Sequence, residues 1–170
     1  MSSTVTGALT AMLSERAEWD EAPALLFLYR DSGGYRYSDA SLISDSDWDC
    51  RPPVTLHRFA VMTEMPDVGR MLSAVAPHNL AGAVFRCESW AVTQRKGDVM
   101  SPEWRGHLHE HPDRVETRTA FAVMCDGSMW AASQQRGSDQ VTAERLDGET
   151  TGLIPESLHR IVRALTSGVN

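Results

Sequence analysis

Residues 115–124 and 128–135 are two strand-length runs separated only by Cys125-Asp126-Gly127. Such a connector closes a hairpin but cannot carry a parallel crossover, which needs about a dozen residues, so these runs are constrained to pair antiparallel. The run 80–93 before them is apolar and β-branched over the length of a long strand and is expected to join the same sheet. A second reversal stands nearer the N-terminus. There Leu25-Leu26-Phe27-Leu28-Tyr29 is followed by the turn residues Asp31-Ser32-Gly33-Gly34 and then by Tyr35-Arg36-Tyr37, the composition of another hairpin.

Helical periodicity accounts for three further segments. Val5, Leu9, Met12 and Leu13 are spaced for a short amphipathic helix. Val68, Met71, Leu72 and Val75 recur at i, i+3, i+4 and i+7, with Asp67 before them and Pro77 beyond, which predicts a helix of about three turns. Pro155 and Glu156 open a third, whose stripe is Leu158, Ile161, Val162 and Leu165 and whose stop is Gly168. Leu56, Phe59, Val61 and Met62 read as a short strand or irregular core segment. The serine- and aspartate-rich stretch 38–53 reads as irregular surface: Ser44-Asp45-Ser46-Asp47 imitates part of a calcium loop but lacks the glycine and closing glutamate of that frame. Because strands and helices do not alternate as βαβ units, the expected fold is α+β. It has an antiparallel sheet of about four to six strands, with helices packed mainly on one face. A chain of 170 residues that is 42% hydrophobic can bury one substantial core, so 1–170 is read as a single domain.

Charge and cysteine usage exclude some partners. The net charge is −7 and Lys96 is the single lysine, which argues against a phosphate-binding surface and hence against nucleic acid. Cys50, Cys87 and Cys125 are odd in number and contain no CxxC pair, so a disulfide framework is not expected. Cys87 and Cys125 border apolar runs and are expected to be buried thiols. No run approaches the roughly 18 apolar residues of a membrane span, and no leader pattern opens the chain, so no membrane partner is expected and the cytoplasm is the expected location.

Two constellations carry chemistry. His107, His109 and His111 alternate within a segment that also holds Glu110 and Glu116. On an extended backbone they would share one face, and three imidazoles are a sufficient set for a divalent metal such as zinc. Side chains two residues apart on a strand are about 6.5–7 Å apart, so two of them chelate readily and a third usually comes from elsewhere; the same spacing also suits histidines that face solvent. His109-Glu110-His111-Pro112 resembles the H-x-H-P element of the MPN-type metalloproteases. That family places a serine and an aspartate where this chain has Arg118 and Phe121, so the resemblance implies no third ligand and no transferred activity. The second constellation is charge within the sheet. Arg86 and Glu88 share one side-chain parity, as do Glu116 and Arg118. Antiparallel pairing that sets Glu88 opposite Arg118 and Trp90 opposite Glu116 would gather these groups beside an aromatic ring. Arg86 or Arg118 would then bind a carboxylate or phosphate, and Glu88 or Glu116 would act as acid or base. The alternative is ordinary cross-strand pairing, worth roughly 0.2–1 kcal/mol a pair.

Arg86-Cys87-Glu88-Ser89-Trp90, His111-Pro112-Asp113-Arg114-Val115-Glu116 and Glu149-Thr150-Thr151-Gly152-Leu153-Ile154-Pro155 together resemble a group of small proteins of actinobacteria and their phages. The resemblance runs from about Leu80 to the C-terminus, implies a cytoplasmic accessory protein and assigns no site. Two functions of different class follow. The first is an accessory protein that acts by binding a protein partner, as small size, acidic charge and the lack of a complete catalytic motif suggest. The second is a metal-dependent hydrolase built on His107, His109 and His111 with Glu88 or Glu116 as general base.

Overall fold

A computed structural model describes residues 4–16, 18–40, 59–92, 108–146 and 152–167. The serine- and aspartate-rich stretch beyond Ala40, His107 and the stop residue Gly168 lie outside the described residues. Both expected hairpins form. β1 (Ala24–Asp31) and β2 (Gly34–Asp39) are joined by Ser32 and Gly33, whose φ values of 46° and 84° are the left-handed pair that a two-residue hairpin loop requires. β3 (Leu80–Val92), β4 (Arg114–Met124) and β5 (Met129–Gln135) follow as a meander, with the β4–β5 turn held by Asp126, which accepts hydrogen bonds from both the backbone and the hydroxyl of Ser128. These bonds hold the Asp126 carboxyl below its usual range. A sixth strand, β6 (Val141–Leu146), extends the sheet, giving the order β2-β1-β3-β4-β5-β6 with every neighbouring pair antiparallel. β3 and β4 approach closely at Gly82, where an added Cβ would meet the Val123 carbonyl oxygen at 2.5 Å.

Alternation along the strands sorts side chains into two apolar layers. Leu25, Phe27, Ala83, Phe85, Cys87 and Val123 face one side, where α3 (Val68–Val75) and α4 (Leu153–Ser167) cover them. Leu26, Leu28, Val84, Ala120, Ala122 and Ala132 face the other, covered by Val5, Leu9, Met12 and Leu13 of α1 (Val5–Ser14). Among the described residues the helices therefore lie mainly on one face, with α1 alone across the sheet. Thr4 caps α1 by accepting from the Gly7 amide at 3.1 Å.

Three sequence expectations change. Residues 59–63 are helical (α2) rather than strand-like. Phe59, Ala60 and Thr63 are buried while Val61 is exposed, an arrangement that only a helical turn permits here, and Phe59 stacks on Phe85 with ring centroids 4.1 Å apart. The helix α3 has eight residues, about two turns rather than three, because a turn at Pro66 and Asp67 precedes it and Pro77 follows its cap. Cys125 is exposed on the β4–β5 turn; among the described residues only Cys87 is a buried thiol, and burial pushes its pKa up to about 12.

The Tyr37 hydroxyl donates to the Glu15 carboxylate and ties β2 to the end of α1. Burial first, and then this bond, raise the Tyr37 pKa from 10.0 to about 12. The folded chain therefore keeps a proton that the unfolded chain loses, so the resulting stability is complete below pH 10 and is lost as pH rises toward about 12. Cys87 titrates over an overlapping range, so the test is the difference between two proteins. Urea unfolding across this range should show a steeper loss of stability in the parent than in Tyr37→Phe.

Candidate functional site

The face of the sheet beneath α1 changes character along β3 and β4. Apolar near Val84 and Ala122, it becomes charged at Arg86, Glu88, Trp90, Glu116 and Arg118, all of one parity. The register sets Glu88 opposite Arg118 and Trp90 opposite Glu116, the pairing expected from the sequence. It sets Arg86 opposite Ala24 on one side and Ala120 on the other, and Arg86 is buried there.

Arg118 is the centre of this cluster and is 1% exposed. Its Nε donates to Glu88 Oε1 at 3.2 Å. One terminal nitrogen donates to the carbonyls of Leu13 and Arg16 at 3.3 and 3.2 Å, and the other donates to the Glu18 carbonyl. Leu13 lies in the last turn of α1, where carbonyls have no partner within the helix, and a cation there also complements the helix dipole. Trp19 lies against the guanidinium, its ring centroid 4.5 Å away. Asp20, with a left-handed φ of 67°, turns the chain so that its amide donates to Glu88 Oε2 at 2.7 Å. Its carboxylate meets Arg136 at 3.2 Å, and Arg136 also holds Glu116 at 2.5 Å. Both acids raise the Arg136 pKa by accepting hydrogen bonds from its guanidinium, Glu116 more than Asp20. Arg16, paired with Glu21, has its pKa lowered by burial and by the nearby charge of Arg118.

The sequence did not single out Trp19, Asp20 or Arg136. Arg136 follows the last residue of β5 and keeps the parity of Gln134, which lies opposite Arg118, so the hairpin register could have brought it in. Trp19 and Asp20 carry no such signal, because a long-range turn places them. Arg114 stacks over Trp90 at 5.2 Å, a cation–aromatic pair besides those that Arg118 and Arg136 make with Trp19.

His109 and His111 are not among these groups. Leu108–Glu110 is a 3₁₀ turn, so the extended backbone that would align alternate imidazoles is not present over this stretch. His109 Nε2 is 3.4 Å from Glu110, and His111 Nδ1 accepts from the Asp113 amide at 3.1 Å. Among the described residues, the one group of three potential ligands is Asp20, Glu88 and Glu116, whose carboxylate oxygens lie within 4.8 Å of one another. Two guanidiniums already engage these acids. The Glu88–Arg118 arrangement thus clamps the chain after α1 onto the sheet, with the donors of Arg118 directed to groups of the protein itself. Comparisons with protein-family models, curated proteins and solved structures found no match.

The clamp predicts unequal costs. Arg118→Ala should destabilise the fold by about 3–5 kcal/mol, since it leaves a partly buried carboxylate without its charged partner and removes a donor from three carbonyls. Arg136→Ala should cost far less, because that guanidinium is half exposed and its ion pairs are screened by solvent. Urea unfolding of the two variants measures both, and equal effects would contradict the assignment.

Proposed function

We propose that this chain is an accessory protein that acts by binding a protein partner through the outer side of its α2–α3 layer. The observation that carries this reading is the apolar stripe of α3. Val68 and Leu72 are buried at 7% and 0%, whereas Met71 and Val75, one turn apart, remain 46% and 53% exposed. The stripe is wider than the surface that covers it. Val61 and Met65, just before α3, are exposed to a similar degree, and methionines suit an adaptable contact surface. The net charge of −7 and the single lysine favour a protein over a nucleic acid as partner. The cytoplasm suits the free thiols Cys87 and Cys125, and among the described residues no helix is long and apolar enough to cross a membrane.

The test compares the parent with Met71→Ser/Val75→Ser. Both positions are half exposed, so the double variant should keep its circular dichroism and thermal midpoint. Losing two apolar contacts should weaken association with the partner, or with a second copy, by about 10- to 100-fold. Affinity capture followed by titration of the captured protein, with light scattering for self-association, measures this. Unchanged affinity in the folded variant overturns the reading.

A further inference from the structure

Of the five large apolar side chains exposed among the described residues, four stand in one short segment: Val61, Met65, Met71 and Val75. Their spacing is symmetrical. Val61 and Met65 precede Val68 by seven and three residues, and Met71 and Val75 follow it by three and seven. Within each pair the separation is four residues, about one helical turn, so each pair forms a short stripe. The backbone carries the turn from α2 into α3. There the Glu64 amide donates to the Val61 carbonyl at 3.1 Å, Met65 to Met62 at 3.2 Å and Val68 to Met65 at 3.1 Å. The two stripes therefore lie at the two ends of one run of turns, with Val68 buried at its middle.

The charges follow the same symmetry. Asp67 stands one residue before Val68 and Arg70 one residue after Gly69, and the two pair at 2.9 Å with side chains 65% and 80% exposed. Glu64 is met in turn by Arg160 of α4 at 3.0 Å. These four charges cancel, although the chain as a whole carries −7. A strongly acidic or strongly basic partner finds no field to match here, whereas a surface whose acid and base are exchanged by a two-fold axis matches itself. We infer that the α2–α3 surface is the interface of a two-fold dimer, its occupant a second copy of this chain. The axis passes by Val68 and Gly69, lays Val61 and Met65 of each copy against the partner's Val75 and Met71, and sets each Asp67 beside the partner's Arg70. This inference rests on the reading of the α2–α3 layer as a binding surface and names what binds there.

Sedimentation equilibrium of the full chain at low ionic strength, over about 1 to 500 μM, tests this. The parent should pass from monomer to dimer over that range, and Met71→Ser/Val75→Ser should stay monomeric. Asp67→Arg and Arg70→Asp each set like charges across the axis twice, so each alone should weaken self-association about tenfold. Both positions are exposed, so both variants should keep the parent's circular dichroism. Mixed in equal amounts, the two variants restore acid against base at both places and should associate as tightly as the parent, one copy of each. Only a partner bearing the same surface gives that rescue. A parent that stays monomeric up to about 500 μM overturns the inference, as does self-association that Met71→Ser/Val75→Ser retains, which places the contact elsewhere. Absence of rescue in the mixture overturns the two-fold arrangement. None of these results decides whether the layer binds another protein, which the affinity of Met71→Ser/Val75→Ser for that protein tests separately.

Discussion

A buried guanidinium that ends a helix holds this structure in register. Arg118 sits under the last turn of α1, takes the carbonyls of Leu13, Arg16 and Glu18, and is balanced by Glu88 from the adjacent strand. Only arginine presents enough donors in a planar fork to serve a carboxylate and three carbonyls at once. Burying that charge costs free energy that the pairing offsets, so the arrangement acts more to select one conformation than to add net stability. Its effect is positional: α1 is fixed over its apolar layer, and the chain after it is turned so that Trp19 and Asp20 close over the charged end of the sheet.

That clamp also decides what the polar end of the sheet can do. Its three carboxylates, Asp20, Glu88 and Glu116, are engaged by Arg118 and Arg136 within the protein. Glu88 binds Arg118 and the Asp20 amide, while Glu116 and Asp20 share Arg136. Among the described residues, the apolar side of α3 stands outside this polar network, with Met71 and Val75 about half exposed.

Much of the fold was legible because it is written in short-range signals. Turn residues at Ser32-Gly33 and Asp126-Gly127 fix both hairpins, and strand parity led to the Glu88–Arg118 and Trp90–Glu116 pairing. Helical stripes located α1, α3 and α4. The helical turn 59–63 was not legible, because its state depends on Phe59 stacking against Phe85, a contact between segments distant in sequence. β6 was missed because Val141-Thr142-Ala143-Glu144-Arg145-Leu146 carries adjacent charges at Glu144 and Arg145, and an edge strand needs little apolar alternation. The candidate site was half legible. Parity brought Glu88, Glu116 and Arg118 together, but it could not say that the donors of Arg118 would turn to the end of a helix more than a hundred residues earlier in the chain. In the histidine segment it was not foreseeable that Leu108–Glu110, two residues before Pro112, closes into a 3₁₀ turn instead of extending.

The most direct test of the clamp is hydrogen exchange at the amide of Asp20, followed by NMR in the parent protein and in Arg118→Lys. Lysine keeps the charge but not the fork. The account predicts that this amide, bonded to Glu88 in a surface turn, exchanges slowly in the parent and quickly in the variant, while the amides shared by β3 and β4 stay protected in both. Fast exchange at Asp20 in the parent, or protection there that survives Arg118→Lys, would contradict it.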